Sequence, residues 1–431
     1  MSQLKKNILI ISNEIVGTKM AGPGIRYLNF AKVFSKHFKT VLFTPNEPDI
    51  SDKSFKIICY GGNITRAIRG YIHSDSVIIA PALLPSAIKL IRKRGGRYIA
   101  DLYDLNLIEV LEYTSDESGK RRETAFDLNY QTVIKELSAA DHILCSNPRQ
   151  KDFYLGLLSS LARINPKTYN LSSDYSDLIS IAPFGLESED PKSSIQNIYH
   201  KIFPVIKPTD KIVYWGGGIW NWFDPLSVIK AIEIISKKRG DVKLFFLGVK
   251  HPNPKIKEME VANDAIAYAK KHELESKFVF FNYGWTDFAE RINFLSQASI
   301  GVSTHFDNLE TRYSMRTRIL DYLWAGLPII STEGDFFAEL IKKDGLGIVV
   351  KPKDSKAIAS AILSIIDDPS LTSQFKKNIA KIKPRFYWEN ILSPLIKRIK
   401  DDDFSSPSAS NYDITRISFS YYWAKFKKFI S

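Results

Sequence analysis

The sequence predicts an α/β fold of two doubly wound, Rossmann-like domains facing each other across a cleft. Three observations lead there. Short apolar runs bounded by polar residues alternate with amphipathic stretches, the pattern of buried parallel strands and their crossover helices. This alternation runs from Lys6 to Cys145 and starts again at Lys211. Between the two series lies a polar stretch, residues 188–210, which carries Pro191, Pro204 and Pro208 and reads as a linker. With 431 residues, 44% hydrophobic and 25% charged, the chain has material for two cores. The expected division is residues 1–200, residues 209–384, and a helical segment 385–431 that crosses back to the first domain.

Each element follows from local pattern. Residues 6–12 form a first strand, and a loop of small residues, 17–24, leads into a helix over 25–37 with Ile25, Leu28, Ala31 and Phe34 on one side. Strands are expected at 40–44, 76–80, 98–100 and 142–145, with amphipathic helices at 87–94 and 125–139. The second series has strands at 211–215, 242–247, 278–281, 300–303, 328–331 and 347–350. Helices near 225–238, 256–272 and 316–325 connect them, the last stopping at Gly326-Leu-Pro328.

Composition and missing motifs remove whole classes. Two cysteines, Cys59 and Cys145, make neither a disulfide framework nor a zinc cluster. No apolar run approaches the roughly 18 residues of a membrane-spanning helix, and the start, Met1 to Asn7, lacks the apolar core of a signal peptide. A reducing, cytoplasmic location is expected. No Gly-x-Ser-x-Gly elbow, no Gly-x-x-x-x-Gly-Lys-Ser/Thr phosphate loop and no paired zinc histidines occur. The net charge of +13, from 60 basic against 47 acidic residues, points to an anionic partner. Without a recognisable module, nucleic acid is the weakest choice.

Ligands of doubly wound sheets bind beyond the carboxyl ends of strands, so three strand-end motifs stand out. The first is Gly22-Pro-Gly24-Ile-Arg26, where glycines let backbone approach a ligand and free N–H groups at a helix start favour an anion, with Arg26 adding charge. Tyr27 breaks the dinucleotide fingerprint. The second is Gly216-Gly217-Gly218, followed by Trp220 and Trp222: its amides suit a diphosphate and its tryptophans a sugar or base. The third runs from Gly301 to Pro328. Its helix is expected to begin near Tyr313–Arg316, with Arg312 and Arg316 supplementing the N–H groups. Asp321, mid-helix among apolar residues, either has a structural partner such as Arg318 or binds hydroxyls. Lys250 and His251 follow another strand, as does Asp104 in Asp101-Leu-Tyr-Asp104 of the first domain.

Taken together, the Gly22-Pro-Gly24 loop, Asp101-Leu-Tyr-Asp104, Ala140-Asp141, Pro183-Phe-Gly185, the Gly216–Gly218 turn and Asp321 to Pro328 resemble the retaining nucleotide-sugar glycosyltransferases of the GT-B fold, family 4. Arg385-Phe-Tyr-Trp388-Glu resembles the aromatic segment that opens their last helix. The resemblance implies a donor side in residues 209–384 and an acceptor side in residues 1–200. It makes Asp321 the ribose-hydroxyl ligand. The family's other donor-site acid falls on Tyr313, and Glu310 is then a displaced sugar ligand, with Asp307 a weaker candidate. The Arg and Lys that usually hold the donor diphosphate are absent here. Backbone amides with Arg312, Arg316 or Lys250 are expected to replace them.

The implied reaction moves a sugar from a nucleotide diphosphate-sugar to a hydroxyl of a glycan or lipid-linked acceptor, with retention. Glu310, Arg316 and Asp104 are the expected catalytic residues, and no metal or other cofactor is needed. Two alternatives stay open: a GT-B-like binding or regulatory subunit without turnover, and a sugar-nucleotide epimerase. The tail, residues 418–431, interleaves aromatics with lysines. Helical spacing puts Phe419, Trp423 and Phe426 on one side, which suits either packing on the protein or peripheral contact with anionic lipid of the inner membrane face.

Overall fold

The computed structural model describes residues 6–249, 258–284, 286–404, 421–423 and 425–427. The chain divides into two compact units, one of residues Met1–Phe184 and Trp388–Ser431, the other of residues Gly185–Tyr387.

The first unit is built on seven strands: β1 (Asn7–Ile11), β2 (Lys39–Thr44), β3 (Lys56–Cys59), β4 (Val77–Ala80), β5 (Arg97–Asp101), β6 (His142–Cys145) and β7 (Ile179–Ile181). They pair in parallel in the order β3-β2-β1-β4-β5-β6-β7. Every residue of β1 is buried, because helices cover both faces of the sheet centre and Leu9 lies between Val41 and Ile78. The helix Gly22–Ser35 packs its aromatic side on the closing helix Trp388–Asp401, Phe30 standing edge-on to Trp388 at 5.9 Å. Strands β3 and β7 have no counterpart in the sequence reading. Both lie at sheet edges, and their part-exposed residues dilute the apolar signal.

The second unit carries β8 (Lys211–Trp215), β9 (Val242–Phe246), β10 (Val279–Phe281), β11 (Ile300–Ser303), β12 (Ile329–Thr332) and β13 (Gly347–Val350). Their order is β10-β9-β8-β11-β12-β13, again all parallel. In both sheets the strand order reverses beside the first strand, between β1 and β4 and between β8 and β11. Ligand sites of such sheets form at these switch points.

The unit boundary falls at residues 184 and 185, ahead of the expected 200. The reason is local bonding. Asn293 accepts hydrogen bonds from Ser193 Oγ and from the Ser194 N–H, and Tyr199 Oη donates to Phe294 O at 2.8 Å. The supposed linker is thereby part of the second unit and includes a short helix, Ile198–Ile202.

The described part of the tail lies along the helix Gly119–Ala139 of its own unit. Lys135 Nζ sits 4.9 Å over the Tyr421 ring, and Lys427 reaches Asp127 at 4.0 Å. Trp423 and Phe426 stack 6.0 Å apart with about half their surface exposed. No described helix is long and apolar enough to cross a membrane.

Candidate functional site

The switch point of the second unit is assembled by one tyrosine. Gly301 of β11 has no side chain, and a Cβ there would stand 2.4 Å from the ring of Tyr322. The Tyr322 ring fills that space from the helix Thr317–Ala325. Its hydroxyl donates to Val302 O at 2.8 Å and accepts the Gly216 N–H at 2.9 Å. The end of β8 is thus tied to β11, and the Gly216 amide is spent on the tie. This corrects one expectation: Gly216 does not offer its N–H to a ligand.

Gly217 and Gly218 differ from it. Gly217 is exposed, with φ +70°, a left-handed conformation that suits glycine. The N–H groups of Gly217 and Gly218 have no hydrogen-bond partner among the described residues. Gly248, just after β9, lies against this turn, so that a Cβ there would be 3.6 Å from Gly217 O.

Under the turn lies Arg318, which the sequence offered only as a partner for Asp321. Its Nη2 donates to Gly218 O at 2.7 Å. Its guanidinium stacks on Phe223 at 3.8 Å and on Trp215 at 4.5 Å. It is 7% exposed, and Nη1 is buried without a partner. Burial lowers its pKa from 12.5 to about 10, so it remains a cation at neutral pH. Its signal in the sequence was an arginine four residues before Tyr322, inside an otherwise apolar helix.

Beside the turn, residues 220–224 run along the end of β11. Phe223 bridges His305, and the Asp224 N–H donates to Thr304 O at 3.0 Å. This presents Trp220 and Trp222, half-buried and stacked 5.4 Å apart with rings 6° from parallel, while Trp215 is the tryptophan of the core. Asp224 caps the next helix through the Ser227 N–H. His305 is buried; burial first, then Arg316, holds its imidazole well below the ordinary value, so it is neutral.

The motif after β11 departs from the expected single helix. A short helix, Leu309–Tyr313, stops at Ser314, and a new one starts after Arg316. The break turns Glu310 and Arg316 onto each other. Arg316 Nη1 and Nη2 donate to the two Glu310 oxygens at 2.8 and 2.6 Å, and Nη2 also to Thr311 Oγ1 at 3.0 Å. Both side chains are almost wholly buried, and Asp335 Oδ2 lies 3.9 Å from Arg316 Nε. Glu310 and Arg316, expected as catalytic residues, are thus held by each other. Arg312 is exposed and Tyr313 half-buried, with the guanidinium 6.0 Å from the Tyr313 ring. Asp321 is half-buried, and its partner is Arg291, Nε to Oδ1 3.3 Å, which in turn stacks on Trp324. Lys250 and His251 lie outside the described residues.

In the first unit, Gly22 and Gly24 begin the helix after β1, whose N-terminus has no side-chain cap. Arg26 is fully buried and does not face a ligand. Its Nε and Nη2 donate to the two oxygens of Asp101 at 2.7 and 2.8 Å, Nη2 donates also to Ala182 O and Nη1 to Pro183 O. Burial works against its charge, but Asp101 outweighs that and raises its pKa. Asp104 is half-buried at the end of β5, its side chain helping burial to raise the Tyr103 pKa. Among the described residues no group of three or more His, Cys, Asp or Glu gathers as metal ligands do.

Comparison with known proteins adds to this geometry. Residues 205–382 match the family model described as Glycosyl transferases group 1. A chitobiosyldiphosphodolichol beta-mannosyltransferase from Yarrowia lipolytica is 24% identical over 155 residues, covering 34% of this chain and 32% of that protein's length. The chain thus spans about a third of that relative. Among solved structures, sucrose-phosphate synthase from Thermosynechococcus elongatus is similar with a TM-score of 0.61 at 15% identity, covering 92% of this chain and 99% of that one. Anabaena HepE in complex with UDP-glucose reaches 0.63 at 13% identity, covering 92% and 100%. These likenesses show the fold, which is GT-B.

Proposed function

We propose that the protein is a glycosyltransferase moving a sugar from a nucleotide diphosphate-sugar to a hydroxyl acceptor, a reading supported by the match of residues 205–382 to the model described as Glycosyl transferases group 1. The observation that carries this is the turn after β8. Two amides without a partner among the described residues, Gly217 and Gly218, stand with the buried cation Arg318 at the point where the strand order reverses. A donor diphosphate gains negative charge on its leaving oxygen as the glycosidic bond lengthens. Amides fixed in advance, with a cation in low-dielectric surroundings behind them, stabilise that charge and lower the barrier. Trp222 walls the sugar or base, and Asp321, reached from the solvent side, receives ribose hydroxyls. Arg312, exposed at the end of the helix Leu309–Tyr313, supplies a second cation. No metal is required in this reading, and retention follows the resemblance. The acceptor is a glycan or lipid-linked glycan of surface polysaccharide or glycoconjugate synthesis. The aromatic and basic tail contacts anionic lipid at the inner membrane face.

The test is a thermal-shift titration with nucleoside diphosphates and their sugars, followed by a transfer assay. A ligand at about 100 times its Kd stabilises the fold by roughly 2.7 kcal/mol. One nucleoside diphosphate family should shift the melting point, and its sugar should be transferred or slowly hydrolysed. If no nucleotide shifts it, the reading is wrong. A second reading, a binding subunit without turnover, is favoured by Glu310 being closed on Arg316. Tight binding with neither transfer nor hydrolysis would select it.

A further inference from the structure

The first unit contains a hollow that the donor site does not use. It is an open hollow of about 700 Å3 beyond the carboxyl ends of β3 and β4, lined by Gly62, Asn63, Thr65, Arg66, Arg69 and Ser86, with Leu84 completing it. No acid lines it.

Its construction follows from the local sequence. After β3 the chain turns at Gly61 and Gly62, both at positive φ, +52° and +85°, and the Asn63 N–H donates back to Tyr60 O at 3.0 Å. Neither glycine N–H has a partner among the described residues. The Asn63 side chain then caps the short helix Ile64–Ile68 by accepting the Arg66 N–H. Ile64 and Ile68 are buried, which turns Arg66 and Arg69 outward on neighbouring positions of one face. From the β4 side, the helix Pro85–Lys93 brings Ser86 Oγ to 2.9 Å from Thr65 Oγ1 and ties the two helix starts together.

Two guanidinium groups one turn apart repel, and neither Arg66 nor Arg69 is paired with a carboxylate of the described residues. The Thr65 and Ser86 side chains and Gly62, whose amide is open, line the same hollow. Arginine forks match the planar or tetrahedral oxygens of an acid bidentately, and a volume of this size takes a small-molecule ligand. We infer that this hollow is an anion site that holds the acid group, phosphate or carboxylate, of the acceptor. The assignment to an acceptor rests on the transferase reading; the anion site itself does not.

The experiment uses the full chain, saturated with the nucleoside diphosphate that gives the largest thermal shift, so that the second unit's turn is filled. Methyl phosphate and acetate are then titrated by calorimetry into the protein and into the Arg66→Gln/Arg69→Gln variant. Both positions are exposed, so the variant should melt at the wild-type temperature and bind the nucleotide as before. The expected result is binding of at least one of the two anions, weakened tenfold or more in the variant. Binding of methyl phosphate alone assigns a phosphorylated acceptor, and binding of both assigns either acid. Equal binding by the two proteins, or none by either, overturns the anion site. Should no nucleotide bind, the titration is run without it: the transferase reading then falls, while the anion site is still judged by the same difference.

Discussion

The two units reach the same topological point by the same route and use it differently. In each, a glycine-bearing loop follows the first strand, and in each an arginine is buried nearby. Arg26 is met by both oxygens of Asp101 and by two backbone carbonyls, so its charge is cancelled within the protein. Arg318 is met by one carbonyl and two aromatic faces, with a nitrogen left unbonded. The glycines divide the same way. A Cβ on Gly24 would come within 2.2 Å of Ile15 O, whereas one on Gly217 would meet nothing within 4 Å. A neutralised cation over close-packed backbone is architecture. An uncompensated cation under open amides is electrostatically unfinished, and in the proposed function an anion from outside completes it. The comparison teaches that a glycine loop with an arginine is not one motif but two, told apart by whether a carboxylate arrives from elsewhere in the chain.

The comparison breaks most visibly at Asp101. Removing one partner of a buried ion pair leaves a bare charge and costs about 3–5 kcal/mol, while replacing both by apolar groups of similar size is often neutral. Asp101→Ala should therefore lower unfolding stability by about that amount in urea titration, and Arg26→Met with Asp101→Leu should recover most of it. A cost below about 1 kcal/mol for the single change would mean that Arg26 is not held as the geometry implies.

The glycine pair sharpens the comparison at a smaller scale. Gly24→Ala forces the Cβ into the Ile15 carbonyl, and such overpacking costs about 1–3 kcal/mol because backbone must shift. Gly217→Ala has open space, so its cost is limited to the left-handed backbone, about 1 kcal/mol. Urea unfolding of the two variants should rank them in that order, and nucleotide affinity should fall only for Gly217→Ala. Equal costs with unchanged affinity would erase the difference drawn between the loops.

The alternation of apolar runs and amphipathic stretches was enough to read the two parallel sheets, since a strand buried on both faces leaves a local signature. Edge strands β3 and β7 leave less of one. The charged residues were harder for a physical reason. Arg26 reads as a phosphate ligand because its partner Asp101 lies 75 residues away, and nothing near Arg26 announces it. Glu310 and Arg316 are six residues apart, which on a continuous helix would point them to different sides. Only the break at Ser314 lets them meet, and Ser-Met between two helical stretches does not advertise a break. Arg318 was legible in the wrong role: it makes no ion pair with an acid among the described residues, and Asp321 turns instead to Arg291, brought from the helix Arg291–Leu295 ahead of β11.

The smallest expected effect bears most directly on function. Arg318→Met fits an unbranched apolar side chain between Trp215 and Phe223 and removes a buried, partly unbonded cation. Folding stability should accordingly change little or rise. What is lost is the charge behind Gly217 and Gly218 and the hydrogen bond that fixes the Gly218 carbonyl. Nucleoside diphosphate affinity should fall about tenfold, or roughly 1.4 kcal/mol, in calorimetric titration at neutral pH. Arg318→Lys, which keeps the charge but loses the planar stack, should fall between wild type and Arg318→Met. The arginine titrates at about 10, so wild-type affinity should decline as pH rises through that value, whereas Arg318→Met should show no such step. If the methionine variant binds nucleotide like wild type, the cation contributes nothing to anion recognition, and the contrast between Arg26 and Arg318 is one of packing alone.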